Sequence, residues 1–93
     1  MELDEKLEKY LKITEKALKK VKFGKNVKID VDKSSRDFLD MAERYFKDAK
    51  YFIEKGDKLT AFAALNYAHG WLDAGSRLGL FDVKDGNLFV LKK

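Results

Sequence analysis

The chain has 93 residues, with 20 Lys and Arg against 16 Asp and Glu, one His, no Pro and no Cys. That length supports one domain with one core, and the missing Cys excludes disulfides, thiolate metal sites and Cys nucleophiles. A hydrophobic content of 45% argues against global disorder, while a net charge of +4 permits nucleic-acid contact without requiring it.

With a single His, a zinc site would need carboxylates for its other ligands, which is uncommon in structural sites; neither a metal nor a cofactor is expected. No apolar run is long enough to span a bilayer. MELDEKLEKY has no signal-peptide apolar core, so the expected setting is cytoplasmic. Abundant Lys without Cys leans towards a hyperthermophile source.

Residues 3–22 predict the first helix. Leu3, Leu7, Tyr10, Thr14, Ala17 and Val21 recur at spacings of three and four and draw one apolar stripe. Opposite it, Glu2–Lys6, Glu5–Lys9, Glu8–Lys12 and Glu15–Lys19 stand in the favourable i,i+4 order, each worth ~0.3 kcal/mol. Gly24 is a plausible stop. Residues 25–33 follow as a connector, in which Val27, Ile29 and Val31 alternate with Lys28, Asp30 and Asp32. That period of two suits an extended segment laid over a core.

Ser34 and Ser35 offer N-caps for a second helix over about 36–55, centred on Phe38, Ala42, Tyr45, Ala49 and Phe52. Gly56 ends it and Asp57 caps the next helix at once, which makes an antiparallel hairpin. The third helix, about 58–78, includes fourteen charge-free residues from Leu59 to Leu72. It is apolar nearly all round, which predicts burial over most of its circumference. In the tail, 80–93, Asp85-Gly86 is a hairpin turn signal between two apolar arms. The fold expected is all-α: an antiparallel up-and-down three-helix bundle, one domain over 1–93, with a short C-terminal extension shaped as a β-hairpin if the turn signal prevails.

Two places on this frame are candidates for function. Asn66, His69, Asp73 and Arg77 form a polar seam on the third helix, beside a side bearing Tyr67 and Trp71. A carboxylate one turn from an imidazole can orient it, but such a seam is more often a satisfied network that sets helix register. Ser76 completes no triad, because residues two turns apart on one helix do not converge. The second place is the run Lys16, Lys19, Lys20, Lys22, Lys25 and Lys28, with no acid from 16 to 28. It reads as a solvated helix end, or as a phosphate-contacting footprint for nucleic acid. No catalytic residue set is present, so an enzyme is not expected. The favoured role is a non-enzymatic protein-interaction or self-associating module, working as a homodimer or with a protein partner through helix three. A nucleic-acid-binding accessory protein using 16–28 is the alternative.

The segment from Ala42 to Leu80 resembles the small archaeal family known as domain of unknown function 357. The resemblance rests on Asp48, Ala49 and Phe52, then Tyr67, Ala68, Gly70, Leu72, Asp73, Ala74 and Gly79. Three residues separate Phe52 from Gly56, where the family pattern has two. The resemblance implies an up-and-down three-helix bundle and an archaeal, cytoplasmic source. It implies no activity and assigns no binding residues.

Overall fold

The structure, a computed structural model, describes residues 2–89. It is all-α: α1 spans Glu2–Lys20, α2 Val31–Glu54 and α3 Lys58–Leu78, and no strand occurs among the described residues.

α2 begins five residues before the expected start. Asp30, at φ −85° and ψ 110°, is the N-cap, and its carboxylate accepts the Lys33 N–H at 3.0 Å. Ser35, one of the two expected caps, sits inside the helix instead. Its Oγ lies 2.7 Å from the Val31 carbonyl oxygen, the back-bonding open to a mid-helix serine. The connector thereby falls at 21–30 and is irregular, and Val27 and Ile29 are exposed rather than laid over a core.

The turn between α2 and α3 forms as the Gly-Asp pair predicts. Gly56 takes φ 79°, a left-handed conformation open to glycine at little cost. Asp57 caps α3, accepting the Thr60 N–H at 3.1 Å and the Thr60 hydroxyl at 2.7 Å. Its carboxyl is held below the usual range first by that hydroxyl, then by the Thr60 N–H, and also by the positive charge of Lys6.

α2 and α3 are the two helices that pack together. They meet through small residues: Ala42 and Ala49 from α2, and Ala61, Ala68, Gly75 and Ser76 from α3, are buried. α3 is thus covered along one narrow line and not around most of its circumference; Leu59, Phe62, Tyr67 and Leu78 are exposed. Among the described residues α1 packs on neither helix, and its whole apolar stripe is exposed. The radius of gyration, 15.8 Å, exceeds the ~12 Å of a compact chain of this length. Likewise the accessible surface of 8504 Å² stands well above the ~5,500 Å² expected for a folded monomer of this mass.

Gly79, at φ 83°, closes α3 in the left-handed conformation, and the Leu80 N–H returns to the Gly75 carbonyl at 2.8 Å. This is a glycine-terminated helix end of the kind the sequence signals. The hairpin does not appear in the described part of the tail. Its first arm is committed elsewhere: the Phe81 ring lies directly over Gly75, and Ser35 Oγ approaches the Leu80 carbonyl oxygen at 3.3 Å. At the turn, the Asp85 carboxylate accepts the Asn87 N–H at 2.9 Å, while the Phe89 N–H bonds back to the Asp85 carbonyl. That is a local helical turn, not a strand reversal. The end of the second arm, Val90 to Leu91, lies outside the described residues.

A Cβ at residue 75 would run into the Phe81 ring. Gly75→Ala gains ~1 kcal/mol of helix propensity but displaces the ring and forfeits ~2 kcal/mol of its burial. The expected outcome is a net loss of about 1 kcal/mol, with faster amide exchange at Leu80. An unchanged exchange rate there would contradict this docking.

Candidate interaction surface

The alanine seam forces the large side chains of α2 and α3 out to its two flanks. On one flank they interlock as aromatic pairs. Phe38 and Trp71 meet edge to face at 5.0 Å between ring centroids, and Tyr45 and Tyr67 at 4.4 Å. These separations fall in the favourable range for edge-on pairs. Trp71 is half-buried by its pair, whereas Tyr67 is 56% exposed. With Asn66, Gly70 and Ala74 they border a shallow hollow of about 340 Å³.

The other flank is not closed. Leu39, Phe46 and Ile53 recur at intervals of seven along α2 and all remain exposed. Leu65 and Leu72 of α3 face the first two across a groove of about 410 Å³, floored by Ala42 and Ala68 and bordered by Glu43 and His69. Lys50 lies over the Phe46 ring, its Nζ 5.6 Å from the centroid. This apolar trough was missed at the level of sequence. Its signal was present in Leu39 and Phe46, seven residues apart, which a central line drawn through Phe38, Ala42 and Tyr45 leaves aside.

The polar seam is not a buried network. Asn66, His69 and Arg77 are exposed, and Asp73 is half-buried. His69 Nδ1 stands 3.9 Å from Asp73 Oδ1, beyond hydrogen-bond range. His69 and Asp73 instead border a small hollow of about 220 Å³ that Gly86, Asn87, Leu88 and Phe89 of the tail help to wall. Ser76 is buried, and lies two turns along the helix from His69. Among the described residues, no group of three His, Cys, Asp or Glu is placed to hold a metal ion.

The six lysines are all exposed. Lys16, Lys19 and Lys20 occupy the last turns of α1, and Lys22, Lys25 and Lys28 the connector. Lys19 pairs with Glu15 at 3.2 Å. Phe23, among them, is 93% exposed. None of the described helices is long and apolar enough to cross a membrane.

Because His69 is exposed and its Nδ1 stands 3.9 Å from the Asp73 carboxylate, beyond hydrogen-bond range, His69→Ala should change stability by no more than about 0.5 kcal/mol. A larger loss of melting temperature would show that the seam supports the fold.

Of the comparisons with known proteins, those with curated proteins and with solved structures return no match. A family model does match, over residues 9–81, from within α1 to the start of the tail. The chain therefore belongs to the family described as Protein of unknown function (DUF357).

Proposed function

We propose that the protein is a non-enzymatic interaction module, set in the cytoplasm, whose α2–α3 groove receives an amphipathic helix. One observation carries this reading: Leu39, Phe46, Leu65 and Leu72 line one apolar trough, floored by Ala42 and Ala68, that α2 and α3 leave open. A contiguous apolar patch on a small protein marks an interaction site more often than scattered exposed residues do. Its shape also fits helix-in-groove recognition, in which anchors at helical spacing drop between two parallel ridges. The polar seam contributes an edge to this trough through His69 and supplies no reaction chemistry.

The probe that matches the trough is a labelled peptide of residues 2–21, which carries the stripe Leu3, Leu7, Tyr10, Thr14, Ala17 and Val21. Saturable binding of this peptide to the full chain is expected by fluorescence anisotropy. Phe46→Glu should weaken it tenfold or more, on the order of an interface hot spot, without loss of helical circular dichroism. Absence of binding, or binding indifferent to residue 46, would remove the reading.

A second reading rests on Phe23, an exposed aromatic ring among Lys20, Lys22 and Lys25. Lysines that follow a phosphate backbone and a ring on which a base stacks are the elements of single-strand binding. If this segment binds RNA, the affinity falls steeply with salt. Lys20→Gln with Lys22→Gln should then lower the salt slope by roughly two. No binding at low salt would dismiss it.

A further inference from the structure

We infer that α1 pairs with α1 of a second copy, antiparallel about a two-fold axis at the level of Lys12, and so makes the protein a homodimer. This goes beyond the helix-binding groove and does not depend on it. Three features of α1 name the second copy as the occupant of its open face.

The first is the face itself. Leu3, Leu7, Tyr10, Leu11 and Leu18 are exposed on a helix that packs on neither α2 nor α3. The stripe Leu3, Leu7, Tyr10, Thr14, Ala17 and Val21 alternates steps of four and three, the heptad spacing that seats one helix against another as knobs into holes. Leu11 and Leu18 lie beside that line and widen it to ~120° of the circumference, the width of a face that packs.

The second is the order of sizes along the stripe. Leu3, Leu7 and Tyr10 come first, then the smaller Thr14, Ala17 and Val21. Antiparallel pairing about Lys12 sets Leu3 against Val21, Leu7 against Ala17 and Tyr10 against Thr14 of the second copy. Every layer then joins a larger side chain to a smaller one, and the two helices hold an even separation. Parallel pairing would stack Tyr10 on Tyr10 and Ala17 on Ala17, overpacked at one level and void at the next.

The third is charge. The first turn is acidic, with Glu2, Asp4 and Glu5, and the last is basic, with Lys19 and Lys20. From Glu2 to Lys12 there are four acids and three lysines; from Ile13 to Lys22 there are one acid and four lysines. Antiparallel, the lysine-rich end of each helix runs along the acidic end of the other, and the helix dipoles oppose. One like-charged pair flanks the seam, Lys6 beside Lys20 of the second copy, and their long side chains can turn apart into water. Parallel pairing would bring both lysine-rich ends together.

The surface available is sufficient. The chain exposes 8504 Å², roughly 3,000 Å² more than a folded monomer of its mass, whereas a stable dimer takes ~800 Å² from each partner.

Sedimentation equilibrium at micromolar concentration should give a dimer. Leu7→Glu with Tyr10→Glu should raise its dissociation constant at least about a hundredfold. The near-UV circular dichroism of the Phe38–Trp71 pair, which α1 does not touch, should persist. Phe46→Glu should leave the dimer as it was. A monomeric unaltered chain, or a dimer that survives the α1 change, overturns the proposal. So does a dimer dissolved by Phe46→Glu, since the second copy would then sit in the groove. The same variants sort binding of the 2–21 peptide: what Phe46→Glu weakens belongs to the groove, and what Leu7→Glu with Tyr10→Glu weakens belongs to α1.

The absence of native Cys lets disulfides report the orientation. A mixture of chains carrying Leu7→Cys and Ala17→Cys should oxidise to a linked heterodimer. Across the antiparallel pair, residue 7 stands ~15 Å from its own counterpart along the axis, beyond the ~7 Å between Cα atoms that a disulfide tolerates. Leu7→Cys alone should therefore link at least about tenfold more slowly than the mixture. Faster linking of Leu7→Cys alone, or no difference, overturns the antiparallel pair.

Discussion

The close approach of α2 and α3 through alanine and glycine governs the rest of this structure. Ala49 and its neighbours let two helices meet with little between them, and a contact so thin buries no large side chain completely. Apolar burial contributes roughly 25 cal/mol per Å², so a seam of methyl groups stabilises only weakly by itself. The bulk of the apolar side chains must stand to either side of it. On one side the aromatic rings satisfy one another across the two helices. The other side, lined with aliphatic residues and Phe46, has no such internal solution. The pair is a ribbon with one finished edge and one unfinished edge.

Much of the architecture was legible in the sequence because its signals are local. Gly56, Asp57 and Gly79 mark ends whose capping geometry depends on only a few neighbouring residues, and the structure realises all three. Ser34 and Ser35 misled because Asp30 also offers a capping carboxylate, and a helix extends to the earliest cap that its intervening residues tolerate. The hairpin signal at Asp85-Gly86 was overridden by contacts distant in sequence: Phe81 against Gly75 and Leu80 against Ser35. Turn chemistry alone cannot anticipate these.

The charge-free character of α3 was the least reliable guide. A helix wheel shows which residues are apolar, not how many neighbours are available to cover them. Ala61, Ala64 and Ala68 are apolar because another backbone must come close, whereas Leu59 and Phe62 are apolar and stay uncovered. The seam Asn66–His69–Asp73–Arg77 likewise lies along an exposed flank, so its polarity reflects proximity to water. The feature that organises the candidate site, the pair Leu39 and Phe46, belonged to α2, where the surrounding charges made it less conspicuous.

α1 stands as a helix that packs on neither of the other two among the described residues. Lys6–Glu2, Lys12–Glu8 and Lys19–Glu15 are ion pairs internal to α1, and Lys9 lies near the Tyr10 ring. Its nineteen residues exceed the ~12–15 below which an isolated helix is marginal. That length and those pairs favour a helical backbone in α1 without help from a neighbouring helix.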